Sequence, residues 1–236
     1  MKRKIAYILI PCLLLIGTSC NDEFLERTPT DAIAASDALA TTANMRLIID
    51  GLHRLLYAQS QTILPGGTST RSGEHYWVPV DDAIVGGIIH SAPGNGWMRG
   101  DLQWNAHTLP TSTTNEHRWY QRYHIIASAS SIINKIVDEN IPLDDELAEI
   151  LGQAYTYRAY AYYDLVTHYA KGYLLASPGS TPGVPLQTGT EPPYTSGPRA
   201  TVQEIYDLMN ADIDAAISTF ANAGVRCTGP TYLSLI

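Results

Sequence analysis

The chain has 236 residues, of which 45% are hydrophobic and 16% charged, and its formal net charge is −8 at pH 7. This apolar content excludes a mostly disordered chain. The acidic balance argues against a nucleic-acid-binding protein, which needs basic surfaces to contact phosphates. Because there are 15 Tyr but only 2 Phe, we expect rings that pack on one edge and meet water or a polar ligand on the other.

The first nineteen residues are typical of a secretory signal. Three cations at 2–4 precede an apolar run at 5–16, which is too short to span a bilayer. Small residues then lead to Cys20. This pattern resembles a bacterial lipobox, although Gly17 stands where that motif usually has Leu. The sequence therefore predicts cleavage after residue 19 and a lipid on Cys20, the alternative being an ordinary cleaved signal.

The residues after Cys20 fit the same destination. Asp22 and Glu23 follow it directly, and this placement resembles the surface-export signal of Bacteroidetes lipoproteins. If residues 1–19 are removed and Cys20 carries lipid, Cys227 is the one free thiol left. An internal disulfide is then impossible, so packing alone would hold the exported protein together.

Four segments of the remaining chain show helical periodicity. Residues 20–43 are predicted to be a tether that leads into a helical body at 44–220, followed by a divergent end at 221–236. Within the body, apolar residues recur at steps of three and four, which predicts amphipathic helices. The predicted helices cover residues 44–59, 116–139, 144–169 and 201–220.

Two of these helices carry further local signals. Thr201 and Glu204 have the spacing of a capping box. The second helix has an apolar stripe that predicts a seam for another helix. Its members are Trp119, Tyr123, Ile126, Ser130, Ile133 and Val137.

Long segments of low periodicity separate the helices. Residues 60–115 are rich in Gly, Ser, Thr and Pro, and residues 171–200 contain too many prolines for a helix and lack strand alternation. The predicted fold class is therefore all-α, with tetratricopeptide-like helix pairs under long irregular loops. A strict 34-residue repeat is absent.

The candidate ligand residues lie in the first of these loops. Three of the four tryptophans fall there beside polar residues, and flat rings next to Asn, Asp and Arg suit a carbohydrate. The alternative is that each Trp anchors the loop on the helices as a small satellite core. The candidates are Trp77, Trp97, Trp104, Tyr76, Asp82, Asn95 and Arg99.

Seven tyrosines lie between 155 and 173, in the third predicted helix and just after it. We expect these rings to pack against the fourth helix or the proline-rich loop, with hydroxyls that reach backbone groups. Arg158 lies among them, and it is expected to pair with a carboxylate or to stack on a ring.

Signals for catalysis are poor. The sequence has no Gly-x-Ser-x-Gly and no His-Glu-x-x-His motif. His117 and His124 have no evident third metal ligand. Asp81 and Asp82 are adjacent in what is expected to be an extended segment, so they would point opposite ways, which does not suit a glycosidase pair. We predict a protein that is not an enzyme and that needs no cofactor or metal.

Several stretches together resemble the SusD/RagB family. The most specific is Gly152-Gln153-Ala154-Tyr155-Thr156-Tyr157-Arg158-Ala159-Tyr160-Ala161-Tyr162-Tyr163-Asp164-Leu165, which is similar to the family pattern Gly-x-Ala-x-x-x-Arg-Ala-x-x-Tyr-Phe-x-Leu. The start at 20–29, the helix at 119–136 and the segments 183–186 and 198–217 agree with it in order.

The resemblance implies an all-α lipoprotein on the surface of the outer membrane in Bacteroidetes. Such a protein captures an oligosaccharide or another nutrient and delivers it to a SusC-like TonB-dependent transporter, as part of polysaccharide utilisation. In starch-binding members, loop aromatics form the sugar platform. By analogy, that role is expected of Trp77, Trp97 and Trp104.

Family members are usually about twice this length, and the resemblance fades after Phe220, so a truncated product or fragment is expected. The alternatives left open are a tetratricopeptide-type adaptor that binds protein, a non-functional remnant and a lipid-anchored glycan hydrolase.

Overall fold

The structure is a computed structural model that describes residues 35–58, 61–64, 67–69, 72–88, 98–175, 179–189 and 197–223. The chain divides into two compact units, Met1–Ala38 and Leu39–Ile236. In the first unit, the described part is the single helical turn α1 (Ala35–Ala38). The predicted signal, Cys20 and most of the tether lie outside the described residues, so they stay predictions.

The second unit is mostly helical. The four helices predicted from periodicity are present, and two shorter helices and four short strands accompany them. In chain order these elements are α2 (Thr42–Tyr57), β1 (Gln61–Leu64), β2 (Gly67–Ser69), α3 (Glu74–Ile84), α4 (Arg99–Leu102), α5 (Thr113–Asp138), α6 (Asp145–Tyr169), β3 (Pro182–Pro185), β4 (Arg199–Thr201) and α7 (Val202–Asn222). Within the described ranges, no helix is both long and apolar enough to cross a membrane.

Side-chain caps fix where the long helices begin. Thr41, Ser112 and Asp144 each accept a hydrogen bond from the backbone N–H three residues later, at the starts of α2, α5 and α6. These bonds satisfy amides that have no partner inside the helix. At α7 the predicted capping box is confirmed, because Thr201 and Glu204 bond reciprocally to each other's backbone N–H.

The long helices pack side by side with alternating direction. Arg118 at the start of α5 pairs with Asp164 near the end of α6, whereas Ser130, later in α5, contacts Arg158 earlier in α6. The two helices are therefore antiparallel, as expected from the six residues that join them. Helix α6 in turn packs against α7, the next long helix in the chain.

Arg158 links α6 to α7 in the way the sequence indicated. Its Nε and Nη2 donate to the two carboxylate oxygens of Asp212 at 2.8 and 2.7 Å, and its guanidinium carbon lies 5.8 Å from the ring centroid of Tyr155. Both the predicted carboxylate pair and the predicted ring contact are thus present. Close approach of the same helices places Gly152 against Phe220.

The main core lies among α2, α5, α6 and α7, and the predicted seam of α5 needs a correction. Ile126, Ser130 and Ile133 are buried, but Trp119 and Tyr123 are half-buried and Val137 is 48% exposed. The buried face is rotated by about one residue because it includes charged and polar side chains, which an apolar stripe omits. These are His117, Arg118, Gln121 and Arg122.

The segment 60–115 contains more regular structure than predicted. Helix α3 lies within it and buries Tyr76, Trp77, Val80 and Ala83. Pro79 stands inside this helix and removes one hydrogen-bond donor, which weakens the helical signal in the sequence. Asp81 and Asp82 are therefore helical neighbours, not residues of an extended segment.

Short antiparallel ladders correct the prediction of irregular loops elsewhere. β1 pairs with β2 through Gln61 opposite Ser69, and β3 pairs with β4 through Pro182 opposite Thr201. Each strand has three or four residues, which is too short for an alternating pattern to be seen.

The tyrosines of α6 anchor the proline-rich segment as expected. Tyr162 is fully buried, and its hydroxyl donates to the carbonyl of Gln187 and accepts from the N–H of the same residue. On α5, the hydroxyl of Tyr123 donates to the carbonyl of Pro185 at 2.7 Å. Aromatic side chains with a polar tip thus hold the segment around β3 against the helices.

Candidate functional site

Among the tryptophans that the structure describes, Trp104 is the exposed one, and it lies close to a cleft. It follows α4, and 58% of the residue is exposed. Its backbone lies in the left-handed region, with φ of 60°, which is uncommon for a bulky residue. The ring contacts His107 edge-to-face, with centroids 5.0 Å apart. An apolar ring face is therefore presented to solvent at a fixed place.

The loop that carries Trp104 is held by Asn115 on the first turn of α5. Its side-chain amide donates to the carbonyls of Ala106, His107 and Leu109 at 3.2, 3.2 and 3.0 Å. The hydroxyl of Thr108 contacts the carbonyl of Asn105 at 3.0 Å. These bonds satisfy loop carbonyls that have no ladder partner, so the loop is ordered without regular secondary structure.

A polar cleft of about 160 Å³ lies beside this loop. Pockets for drug-sized ligands are usually about 300–1,000 Å³, so this cleft fits one ring or one polar edge of a larger ligand. His107 lines the cleft and also contacts Trp104, so this side chain lies between the two features. The lining residues are Val80, Asp81, Ile84, Asp101, His107, Thr114, Asn115, Arg118, His168 and Tyr169.

A buried ion network forms the floor of the cleft. Arg118 donates to both oxygens of Asp81 at 2.8 and 3.0 Å and to both oxygens of Asp164 at 2.6 and 2.9 Å. Arg122 donates to Asp164 at 2.7 Å and lies 2.7 Å from Glu74. The network joins α3, α5 and α6, so it fixes the cleft walls relative to one another.

The network holds its carboxyl groups in the charged form. Burial alone would raise the pKa of Asp81, but hydrogen bonds from His168 and Arg118 outweigh it and lower that pKa to about 2. Burial of Asp164 is likewise outweighed by Arg118 and Arg122, so its pKa is lowered. Both carboxylates are therefore ionised at neutral pH.

His168 closes one side of the cleft. Its Nδ1 lies 2.7 Å from the carbonyl oxygen of Asp164, and its Nε2 lies 3.1 Å from Oδ1 of Asp81. Both partner atoms are oxygen acceptors. The ring thereby ties the end of α6 to α3 at the cleft.

Two of the candidate ligand residues are buried beneath the site. Trp77 and Tyr76 are fully buried. The indole Nε1 of Trp77 donates to Gln121 at 3.1 Å, and the hydroxyl of Tyr76 donates to Asp101 at 3.4 Å. Their faces pack in a small second core with Val80. This arrangement matches the satellite-core alternative and leaves neither ring face open to a ligand.

Of the other candidate ligand residues, two are exposed away from the cleft and two lie outside the described residues. Asp82 on α3 and Arg99 on α4 are exposed, and neither lines the cleft. Trp97 and Asn95 lie outside the described residues. Trp104 is thus the tryptophan of the three that the described structure places at the surface.

Three of the cleft residues were missed by sequence reasoning. Arg118, Asn115 and His168 come from two different helices, and their meeting depends on helix packing. The sequence held one signal of this site. Arg118 and Arg122 lie four residues apart on the buried face of α5, and buried arginines need carboxylate partners.

His117 on α5 is fully buried beside Trp77, with ring centroids 6.1 Å apart. Neither of its ring nitrogens has a hydrogen-bond partner among the described residues, and burial lowers its pKa. Among the described residues, no group of three or more His, Cys, Asp or Glu side chains is placed to hold a metal ion.

The comparisons with known proteins agree with this fold. A SusD-like family model, described as starch-binding and associating with the outer membrane, matches residues 85–228, which is more than half of the chain. The chain belongs to this SusD-like family. The resemblance noted from the α6 motif is confirmed. Carbohydrate binding and association with the outer membrane are properties given in the description of the family.

A curated relative supports the same family. SusD-like protein P38 of Formosa agariphila is 33% identical over 115 residues, an alignment that spans 48% of this chain and 20% of the relative. The chain therefore matches only a fifth of that relative's length.

Solved structures support the helical fold class. A SusD superfamily protein from Bacteroides thetaiotaomicron aligns with a TM-score of 0.51 and one from Bacteroides vulgatus with 0.58, each at 20% identity and over 76% of this chain and 37% of theirs. A SusD-like carbohydrate binding protein from Bacteroides vulgatus aligns with a TM-score of 0.54 at 15% identity, over 76% of this chain and 36% of that one. At these identities the likeness concerns the fold alone.

Proposed function

We propose that this chain belongs to a glycan-binding lipoprotein at the surface of the outer membrane, anchored by a lipid on Cys20. In this account it captures an oligosaccharide and delivers it to a SusC-like TonB-dependent transporter. The protein binds its ligand without chemically changing it.

One observation carries the proposal, namely the exposed indole of Trp104 beside a polar cleft. A flat aromatic face stacks on the apolar C–H face of a sugar, and polar groups nearby bond its hydroxyls. Asn115 and His107 hold the loop and the ring in place before any ligand arrives. A preformed surface of this kind loses less conformational entropy when it binds.

Removal of the Trp104 ring tests the proposal. The Trp104→Ala variant is expected to weaken oligosaccharide binding at least about tenfold, because stacking on an aromatic ring supplies much of the contact area. Isothermal titration with neutral oligosaccharides, among them maltohexaose, measures the change. Tyr57→Ala is the matched control, since Tyr57 is also an exposed aromatic, at 84%, but lies on α2.

Three results would contradict the proposal. Equal glycan affinity in Trp104→Ala and Tyr57→Ala would remove Trp104 from the site. Absence of binding to every glycan, together with binding to extended peptides, would favour the tetratricopeptide-type adaptor. Release of sugar products by the wild-type chain, abolished by one carboxylate substitution, would favour the hydrolase.

A further inference from the structure

A tyrosine at the end of α6 is bonded to the residue that holds the Trp104 loop. The hydroxyl of Tyr169 donates to the backbone carbonyl of Asn115 at 2.7 Å. The side-chain amide of Asn115 in turn donates to three carbonyls of the loop. Asn115 is therefore fixed from its backbone by α6 while its side chain fixes the loop.

The ring of Tyr169 is itself held by Trp119. Their centroids lie 5.0 Å apart in an edge-to-face contact, which is a geometry that aromatic pairs favour. Both rings are partly buried against the main core. Because the ring is packed in this way, its hydroxyl is kept at the carbonyl of Asn115.

Arg199 on β4 holds the backbone of Tyr169. Its Nη1 donates to the carbonyl of Tyr169 at 3.1 Å and to the carbonyl of Gly183 on β3 at 2.6 Å. Tyr169 is the last residue of α6, where carbonyls lack a partner inside the helix and a cation is favourable. The guanidinium carbon also lies 5.9 Å from the ring centroid of Trp119. The β3–β4 ladder is thereby connected to the end of α6.

We propose that Tyr169 is a positioning residue for the Trp104 site, and that Arg199 extends this support to the β3–β4 ladder. The inference rests on the proposed glycan-binding function, which places the ligand on Trp104. Tyr169 acts through Asn115, because its hydroxyl holds the first turn of α5 and that turn holds the loop. A loop that is fixed before the ligand arrives loses less conformational entropy on binding.

A matched pair of tyrosine variants tests the inference. Tyr169→Phe and Tyr123→Phe each remove one hydroxyl that donates to a backbone carbonyl at 2.7 Å, and each keeps a ring in contact with Trp119. The hydroxyl of Tyr123 donates to Pro185, in the segment around β3. The two variants should therefore lose similar stability, whereas only Tyr169→Phe should disturb the Trp104 loop.

Hydrogen exchange of the ligand-free chain is the first measurement. The loop amides that donate to backbone carbonyls are those of Trp104, Asn105, Ala106 and Leu109. Their exchange reports opening of the loop. Tyr169→Phe is expected to quicken it by about threefold or more, the usual effect of one lost hydrogen bond, and Tyr123→Phe to leave it unchanged. Equal exchange rates in the two variants would overturn the inference.

Glycan affinity then relates the loop to binding. Isothermal titration uses the tightest binder among neutral oligosaccharides that include maltohexaose. Tyr169→Phe should bind it about threefold more weakly or worse, with Tyr123→Phe unchanged. The double variant Tyr169→Phe/Asn115→Asp should bind no more weakly than Asn115→Asp alone, because the two residues act in series. Unchanged affinity in Tyr169→Phe, or additive losses in the double variant, would overturn the inference.

Arg199→Met provides a second variant. Arg199 is exposed, so its replacement leaves the core intact while it removes both carbonyl bonds. Exchange of the same loop amides should quicken about twofold, and Arg54→Met on α2 is the exposed control. Equal exchange in these two variants would contradict the support from Arg199, and this comparison decides the inference if Tyr169→Phe does not fold. Failure of the wild-type chain to bind any glycan would overturn the proposed function, whereas the exchange measurements need no ligand.

Discussion

Asp164 is shared by two buried arginines, and its side chain is 7% exposed. Removal of this carboxylate leaves Arg118 and Arg122 without their common partner in a dry site. Breaking such a pair usually costs about 3–5 kcal/mol. We therefore expect Asp164→Ala to lower the free energy of unfolding by several kcal/mol, as measured by urea denaturation.

A surface ion pair provides the control for this prediction. Lys135 and Glu139 pair at 2.6 Å at the end of α5, where their side chains are 27% and 55% exposed, against 7% for Asp164. Lys135→Ala should change stability by only about 0.5 kcal/mol or less. Comparable effects of Lys135→Ala and Asp164→Ala would show that the buried network does not stabilise the fold.

His117 is a buried imidazole whose nitrogens lack partners among the described residues. A buried polar group without a hydrogen bond costs about 1–3 kcal/mol. His117→Met has similar volume and no such group, so it should raise the free energy of unfolding by about 1 kcal/mol at pH 7.5. Urea denaturation of the variant and of the wild type checks this difference.

The same histidine makes stability depend on pH. Burial lowers the pKa of His117 in the folded state below its ordinary value of 6.5. The unfolded chain therefore binds more protons than the folded chain as the pH falls below 6.5. The neutral histidine's contribution to folding stability is fully present above pH 6.5 and is lost as the pH falls toward the folded-state pKa. The advantage of His117→Met should therefore widen between pH 7.5 and pH 5. A constant difference would contradict a buried neutral imidazole.

At the scale of elements, the loop beside α4 depends on one side chain. Asn115→Asp keeps the shape but replaces the amide that donates to three loop carbonyls with an acceptor. We expect glycan affinity to fall severalfold and amide exchange at residues 104–110 to quicken, while Tm changes by only a few degrees. Asn44→Asp on α2 is the matched control. Unchanged exchange in Asn115→Asp would contradict the role of this side chain.

The four long helices could be predicted because burial of an apolar face leaves a period in the sequence. Their starts were partly readable too, as Thr201 and Glu204 illustrate. Helix α3 was missed because Pro79 and the neighbouring glycines weigh against a helix. Its apolar residues at 76, 77 and 80 nevertheless lie on one face, and tertiary packing overrides the local penalty.

The candidate site was less predictable than the fold. Composition marks Trp77 and Trp104 equally as aromatic residues among polar ones, yet one is fully buried and the other 58% exposed. Trp77 is buried because its face of α3 meets α5. That contact joins elements that are distant in sequence. The Asp81–Arg118–Asp164 network is long-range for the same reason.

For the whole molecule, the proposed function depends on attachment through Cys20. Cys20→Ala is expected to abolish incorporation of labelled palmitate in cells and to release the chain from the outer membrane fraction. Cys12→Ala is the matched control, because it removes a cysteine inside the predicted signal. Loss of label in Cys12→Ala alone, or in neither variant, would contradict the lipoprotein prediction.

The central claim is that a sugar ring stacks on Trp104 and not on Trp77. Indole N–H resonances of the four tryptophans, assigned by single Trp→Phe variants, report each ring separately during titration with the neutral oligosaccharide that binds tightest. The account predicts a large, saturable shift for Trp104 and almost none for Trp77. A shift of Trp77 with Trp104 unmoved would contradict it.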